Sequence, residues 1–200
     1  MATYPVTLLP AGDSFLERSQ TAAAALGPAL KSQRLNADVD QILEQWRKSN
    51  AVLAGQQGRL RRSVIHADLW PPNVLCVGDR VSGLLDFDNC CLGERFIDVA
   101  QALMEFSMYK SAALDEDLAT AFLREFFRHG GTLSGVEQSL LVNAMEIGCA
   151  NWWAWEMVDG PVSVEGEYYL RRLELLQVAA SRDKLFEDVD RLVTAARSRV

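Results

Sequence analysis

The chain has 200 residues, of which 49% are hydrophobic, and its formal net charge is −7. This size and hydrophobic content allow a substantial core, whereas the acidic balance makes nucleic acid an unexpected partner. No apolar stretch reaches the roughly 18 residues that a membrane helix requires, and no basic region precedes an apolar block at the N-terminus, so we expect a cytoplasmic protein without a membrane contact.

Helices are predicted at the start of the chain. Ser14 and Glu17 have the spacing of a capping box, and we expect the Ala-rich segment after them to be interrupted at Gly27–Pro28, because proline disrupts a helix interior. A second helix is predicted from a cap at Asn36 or Asp38. The apolar residues on one face of this helix are Val39, Ile42, Leu43, Trp46 and Leu53.

A polar loop follows in the string SVIHADLWPPNVL, residues 63–75. Apolar, strand-like pairs flank the loop, and Pro71-Pro72 prevents a helix through its middle. The loop carries His66, Asp68 and Asn73. Because loops held by rigid flanking elements commonly carry the chemistry of a protein, this loop is a candidate site.

The next segment, VLCVGDRVSGLLDF, predicts a β-hairpin that turns at Gly78–Asp79. Asn73 immediately precedes the first strand and Asp86 follows the second, so antiparallel pairing brings both residues to the same end of the hairpin. Amide and carboxylate oxygens suit Mg²⁺, which usually binds through one or two carboxylates together with substrate phosphates. Asp68 would then stand near the metal, where a carboxylate accepts the proton of an attacking hydroxyl.

Amphipathic helices are predicted for the rest of the chain. A second capping box, Ser134 with Glu137, opens the helix that leads to the string NWWAWE. The predicted fold class is therefore mainly α with one small β-hairpin. The apolar residues on successive helix faces are Phe96, Val99, Ala100, Leu103 and Phe106; Leu118, Phe122 and Phe126; Leu140, Ala144, Ile147 and Gly148; Leu173 and Leu176; and Leu185 and Leu192.

The string NWWAWE, residues 151–156, is unusually rich in tryptophan. On a helix, Asn151 and Trp155 share one face, and Trp152 and Glu156 share another. Aromatic faces backed by a carboxylate bind ammonium groups, so this stretch predicts a pocket for an amine-bearing ligand. A tryptophan-rich core between helices is the alternative.

The polar residues between positions 63 and 103 resemble those of a known family. The pattern H-x-D-x-x-x-x-N, a short hairpin, D-F-D and G-x-x-x-x-D-x-A is similar to the large lobe of aminoglycoside phosphotransferases and choline kinases, relatives of the protein kinases. The resemblance implies that Asp68 is the catalytic base and that Asn73 and Asp86 hold Mg²⁺ on ATP. It also implies that His66 is a structural residue and that Asp98 braces the loop through hydrogen bonds.

The resemblance also suggests how the chain is organised. We predict a single domain, with the catalytic loop, hairpin and metal motif at 63–103 and the acceptor-binding helices at 104–200. Residues 1–12 are similar to the hinge of the family. The glycine-rich loop, strand lysine and helix glutamate of an ATP-binding lobe are not found ahead of His66. We therefore expect a kinase-like C-terminal lobe whose N-terminal ATP lobe is absent.

Three functional hypotheses remain open. The first is an ATP- and Mg²⁺-dependent O-phosphotransferase, of the aminoglycoside, choline, homoserine or fructosamine kinase type, for a small hydroxylated acceptor that is cationic if NWWAWE forms an amine pocket. The second is a non-catalytic binding protein that keeps the acceptor pocket. The third is a phosphate-ester or metal-dependent hydrolase. Asp88 is a candidate substrate contact, with a solvated strand end as its alternative role.

Overall fold

The structure is a computed structural model that describes residues 14–32, 38–108, 113–158 and 164–198. The predicted hinge at residues 1–12 lies outside this part of the chain, as does the predicted cap at Asn36. The fold class, mainly α with a small β-hairpin, is confirmed. The helices are α1 (Phe15–Ser32), α2 (Val39–Ala54), α3 (Phe96–Ser107), α4 (Glu116–Arg128), α5 (Gly135–Ser139), α6 (Leu141–Val158), α7 (Val164–Gln177) and α8 (Ala179–Arg197), and the strands are β1 (Arg62–Ile65), β2 (Val74–Val77), β3 (Arg80–Leu84) and β4 (Cys91–Glu94).

Helix α1 is longer than predicted. It begins after Ser14, whose Oγ accepts a hydrogen bond from the Glu17 backbone N–H (3.2 Å), and it continues through Gly27–Pro28, where we expected a break. A proline inside a helix removes one backbone hydrogen bond and costs about 3 kcal/mol. Packing of α1 against α2 and α6 offsets this cost, because most helical stability in proteins comes from tertiary packing.

Helix α6 lies at the centre of the helical body, where it packs against α1, α2, α3 and α7. Its predicted apolar residues are buried, and Trp153 is fully inaccessible to solvent. Helix α2 is capped by Asp38, whose side chain accepts a hydrogen bond from the Gln41 backbone N–H (3.0 Å). It contributes the predicted side chains Ile42, Leu43, Trp46 and Leu53 to the same core.

Helix α4 presents a different face to the core from the one that the sequence predicted. Leu118 is 52% exposed, and Phe122 and Phe126 are only partly buried at the edge of the core. The helix packs against α8 through the adjacent stripe. The stripe buried there is Ala119, Leu123 and Phe127.

The predicted capping box at Ser134 and Glu137 is present with both of its hydrogen bonds. The helix that it opens is short, however: α5 ends at Ser139 and α6 begins at Leu141. The sequence pattern predicted one uninterrupted helix over this region. A break of one residue therefore separates the capped turn from the helix that carries NWWAWE.

A buried arginine joins α7 to the C-terminal end of α3. The guanidinium of Arg172 donates to the carbonyl oxygens of Met104 (3.1 Å) and Met108, to the Tyr168 hydroxyl, and to Glu105 (3.4 Å). The side chains of Arg172 and Glu105 are only 1% and 7% exposed. The bond to Met108 gives a partner to the carbonyl just past the helix end, where intrahelical donors run out, and the bond to Met104 adds to the one that its carbonyl already accepts from the Met108 N–H.

The described strands form two antiparallel pairs. The predicted hairpin is β2 with β3, and Gly78 takes a left-handed backbone conformation (φ 62°) at the turn. The other pair, β1 with β4, was not predicted and sets Val64 opposite Leu92. Gly93 of β4 permits close packing there, because a Cβ at this position would lie 2.5 Å from a side-chain atom of Ile65. Among the described helices, none is long and apolar enough to cross a bilayer.

Candidate active site

The loop between β1 and β2 is held by the first turn of α3. One carboxylate oxygen of Asp98 accepts a hydrogen bond from the His66 backbone N–H and the other accepts one from the Ala67 N–H, each at 2.9 Å. The amide of Gln101 donates to the Ala67 carbonyl oxygen (3.1 Å). Ala67 has a φ of 61°, a left-handed conformation that is costly for a residue with a side chain and recurs at functional sites. Three hydrogen bonds from one helix thus fix the backbone just before Asp68.

His66 connects this loop to the segment after the hairpin. Its Nε2 lies 3.0 Å from the Leu85 carbonyl oxygen, and its ring packs against Phe87 with the ring centroids 4.8 Å apart. The side chain is buried between these two neighbours. These contacts link the loop to the hairpin exit, and the family resemblance implies the same structural role for His66.

Asp68 is buried, with 4% of its surface exposed. The Asn73 amide donates to its Oδ2 (3.1 Å) and to its backbone carbonyl oxygen (3.0 Å), and the Asn89 amide donates to the same Oδ2 (3.4 Å). Within the described residues, Oδ1 has no hydrogen-bond partner. One oxygen is therefore held in place, while the other is buried and its hydrogen-bonding capacity is unmet by the described residues.

The environment makes Asp68 a stronger base than an ordinary aspartate. The pKa of Asp68 is raised to about 6, first by burial and second by the nearby Asp86 carboxylate, whereas the hydrogen bonds from Asn73 and Asn89 oppose the shift. Catalytic bases work best when their pKa lies near the operating pH. Asp68 is thus mostly ionised at neutral pH and still basic enough to take part in proton transfer.

This raised pKa makes the stability of the fold depend on pH. An unfolded aspartate has a pKa of about 3.9, so the folded state binds the Asp68 proton more tightly and the free energy of unfolding falls as the pH rises from about 4 to 6. Replacing Asp68 with Asn removes this effect. We expect Asp68→Asn to be more stable than the parent by about 1 to 3 kcal/mol at pH 8, with the difference shrinking toward pH 4.

Urea unfolding followed by circular dichroism between pH 4 and 8 measures this difference. Asp79→Asn is the matched control, because Asp79 is exposed in the hairpin turn and its substitution should leave the pH profile unchanged. A stability difference between Asp68→Asn and the parent that stays constant over the whole pH range would contradict the prediction.

Asn73 and Asp86 lie at the same end of the hairpin. The Asn73 carbonyl oxygen accepts a hydrogen bond from the Leu85 N–H (2.9 Å), which continues the ladder of β2 and β3 to the residue before Asp86. Asp86 has a φ of 60°, so its backbone is left-handed like that of Ala67. Because the Asn73 amide nitrogen is bonded to Asp68, its oxygen is the atom left for other partners.

These residues fit a magnesium ion held together with phosphates. Asn73 and Asp86 supply an amide and a carboxylate oxygen, the donor types that Mg²⁺ prefers, and Asp68 adds a buried oxygen without a protein partner among the described residues. No group of three or more His, Cys, Asp or Glu side chains converges within the described ranges. A donor set of this size suits a metal that shares its coordination with a nucleotide.

The Asp68 pocket brings the loop and the tryptophan-rich helix together. It measures about 400 Å³, including its open mouth. The predicted substrate residues Trp152 and Glu156 lie in this pocket, on the α6 side. Asp88 does not line it and is exposed in the turn after Asp86. The lining residues are Asp68, Trp70, Asn73, Asp86, Trp152, Glu156 and Tyr169.

A neighbouring cavity, the Arg18 pocket, is also lined by Trp152. It measures about 470 Å³, including its mouth, and contains the predicted residues Asn151 and Trp155. Trp152 and Trp155 are therefore partly exposed pocket walls, whereas Trp153 between them belongs to the core. The lining residues are Phe15, Arg18, Ser19, Ala67, Asn89, Gln101, Gly148, Asn151, Trp152 and Trp155.

Several residues of these pockets were missed by the sequence reasoning. Asn89 follows Asp86 by three positions and bonds to Asp68, so its place in the D-F-D-N string was an available signal. Gln101 is a polar residue on the otherwise apolar face of α3, a second usable signal. Arg18 and Tyr169 carry no such local signal, because only the packing of α1 and α7 brings them to the pockets.

Comparisons with known proteins identify the family of this chain. Residues 7–132 match the family described as the phosphotransferase enzyme family. A homoserine kinase of Neisseria meningitidis serogroup B is 33% identical over 108 residues, 54% of this chain and 35% of that protein. A homoserine kinase of Rhodopseudomonas palustris is 32% identical over 128 residues, 64% of this chain and 36% of that protein. The chain spans about a third of the length of these curated relatives.

Proposed function

Because the chain belongs to the phosphotransferase enzyme family, as its loop and hairpin motifs predicted, we propose that it transfers phosphate from ATP to a hydroxyl group of a small, amine-bearing acceptor. The observation that carries this proposal is the Asp68 carboxylate, buried and fixed through Oδ2, in a pocket that also contains Asn73, Asp86 and Glu156; among the described residues its Oδ1 has no hydrogen-bond partner. A cytoplasmic location, where ATP is available, is part of the proposal.

Each residue has a role in this proposal. Asp68 accepts the proton of the acceptor hydroxyl through Oδ1 and orients that oxygen toward the phosphoryl group. Asn73 and Asp86 would hold Mg²⁺ together with the nucleotide phosphates, and the ion would supply positive charge that offsets the charge of those phosphates. Asp98 and His66 keep the loop in position through the hydrogen bonds described above.

The acceptor side of the proposal relies on the tryptophan-rich helix and on the relatives. Trp152 and Glu156 line the same pocket as Asp68, and an aromatic ring beside a carboxylate suits an ammonium group. The relatives that match are described as homoserine kinases, and homoserine carries both an amine and a hydroxyl. These two facts support an amine-bearing alcohol as the acceptor class.

Calorimetric titration of the 200-residue chain with ATP, with and without Mg²⁺, tests the nucleotide site. We expect weak but saturable binding that requires Mg²⁺ and is lost in Asp86→Asn. Asparagine tolerates the left-handed backbone of Asp86, so this variant removes the charge without adding strain. Asp79→Asn, in the exposed turn of the same hairpin, is the control and should bind as the parent does.

The outcomes separate the functional hypotheses. Magnesium-dependent binding that Asp86→Asn abolishes, followed by phosphate transfer to an amino alcohol, would support the phosphotransferase. Saturable binding of an acceptor by a folded chain that does not bind ATP would instead favour the non-catalytic binding protein. Release of phosphate to water from phosphate esters, without an acceptor, would favour the hydrolase.

A further inference from the structure

We propose that the Arg18 pocket is a second small-molecule site beside the Asp68 pocket, and that its ligand carries a neutral, planar amide group. Among the described residues, those that line it include no Asp or Glu, whereas three carboxylates line the Asp68 pocket. The hydrogen-bonding groups of Gln101 and Asn151, which both line the Arg18 pocket, carry the inference.

Gln101 provides an unmet hydrogen-bond acceptor and is only 2% exposed. Its amide nitrogen donates to the Ala67 carbonyl oxygen (3.1 Å), whereas its Oε1 is buried without a hydrogen-bond partner in the part of the chain that the structure describes. Because an unpaired buried acceptor costs free energy, an N–H donor from a ligand stabilises this site. A carboxylate does not suit it, since its oxygens have no proton to donate to Oε1.

Asn151 supplies a hydrogen-bond donor, because a chain of hydrogen bonds orients its amide. The Ser19 hydroxyl accepts from the Trp46 indole N–H (3.0 Å), so its single proton is donated to Asn151 Oδ1 (3.0 Å). This order leaves the Asn151 NH₂ group for other partners. An ammonium group, which has donors only, would meet another donor here and, among the described lining residues, no carboxylate to balance its charge.

Gln101 and Asn151 are neighbours around Gly148, which also lines the pocket. Gly148 lies one helical turn before Asn151 on the same face of α6. A Cβ added at Gly148 would lie 3.9 Å from the Cγ of Gln101. The acceptor and the donor therefore belong to one part of the pocket, and an amide offers the complementary N–H and C=O within a single planar group.

Two indole rings add an aromatic surface to the same pocket. Trp152 and Trp155 both line it and are partly exposed. Because they lie one helical turn apart on α6, they are neighbours on the surface of that helix. Flat π systems pack well against indole rings without requiring a charge, so the pocket suits an aromatic carboxamide.

Benzamide, benzoate and benzylamine test this inference, because they share one ring and carry a neutral amide, an anion and a cation. None of the three has a hydroxyl that could accept phosphate, so their binding is measured independently of the proposed phosphotransfer. Tryptophan fluorescence of the full chain reports binding, since two indoles line the pocket. We expect saturable binding of benzamide, roughly 10-fold tighter than that of benzoate.

Two substitutions assign the binding to this pocket. Gly148→Ala adds a methyl group beside Gln101 that makes only ordinary van der Waals contacts, and alanine favours a helix more than glycine does. It should weaken benzamide binding roughly 10-fold while the chain unfolds at the same or a higher urea concentration. Asn151→Asp keeps the oxygen that accepts the present hydrogen bond but removes the NH₂ donor, so it should weaken benzamide binding to a similar extent. Gln41→Glu, exposed on α2, adds the same charge and is the matched control.

The results distinguish this inference from the proposed phosphotransfer. Equal affinity for benzamide and benzoate, benzamide binding that neither substitution weakens, or no saturable binding of benzamide by the folded chain would overturn the second site. Benzylamine can also enter the Asp68 pocket, so only binding that Gly148→Ala weakens reports on the Arg18 pocket; such binding at the affinity of benzamide would overturn the preference for a neutral ligand. Benzamide binding that depends on Gly148 and Asn151 would support the second site even if no phosphate is transferred. Phosphate transfer by a chain that does not bind benzamide would retain the phosphotransferase and remove the second site.

Discussion

Replacing Asp68 with Asn should lower the rate of phosphate transfer roughly 10²- to 10⁴-fold, the range in which a positioned general base contributes to catalysis. Asparagine has nearly the same shape as aspartate but cannot accept the proton of the acceptor hydroxyl. Its side-chain oxygen can still accept the hydrogen bonds that Asn73 and Asn89 now donate to Oδ2, so the loop should keep its structure. The measurement is the initial rate of phosphate transfer at saturating ATP, Mg²⁺ and acceptor.

The variant also separates a catalytic role from a structural one. Because burial of the ionised carboxylate destabilises the fold, Asp68→Asn should be more stable than the parent at pH 8 while it is far less active. The parent rate should rise with pH through about 6, as Asp68 loses its proton. Asp79→Asn should match the parent in rate. An Asp68→Asn variant that keeps its rate would show that another group accepts the proton.

Replacing Arg172 with Met should destabilise the fold by about 3 to 5 kcal/mol, the cost of removing one partner from a buried ion pair. The substitution leaves the Glu105 carboxylate buried without its cation, and it leaves the carbonyl oxygens of Met104 and Met108 without the guanidinium donor. Burial already raises the pKa of Glu105, and loss of the arginine should raise it further. Chemical unfolding at pH 8 measures the change in free energy.

Two variants control this result. Arg171→Met changes the neighbouring exposed arginine of α7 and should alter the stability by less than about 0.5 kcal/mol. Adding Glu105→Gln to Arg172→Met removes the uncompensated charge and should recover part of the lost stability. If Arg172→Met folds as stably as Arg171→Met, the buried pair contributes nothing to the fold.

Local signals predicted much of this structure. The capping residues Asp38 and Ser134 act within three positions of themselves, and the Gly78–Asp79 turn closes a hairpin whose strands are adjacent in sequence. Asn73 and Asp86 meet at one end of that hairpin for the same reason. Interactions of this kind depend on few residues and on known geometry, so a sequence reveals them.

Long-range interactions account for what the sequence did not reveal. Strand β4 is four residues long and pairs with β1 across a separation of about 30 residues, so no local pattern indicates it. Pro28 remains inside α1 because helix packing outweighs the free-energy cost of a proline in a helix interior. Helix α4 buries the face with Ala119, Leu123 and Phe127 because α8 packs there. Arg18 reaches the pocket only because α1 packs against α6.

The tryptophan that the two pockets share has a thermodynamic consequence. Trp152 lines both the Asp68 pocket and the Arg18 pocket. A ligand that restricts this ring from one pocket changes the free energy of binding in the other pocket, and linkage requires the change to be equal in both directions. Occupation of either pocket should therefore change the affinity of the other pocket for its ligand by the same factor. The order in which the ligands bind does not affect this factor.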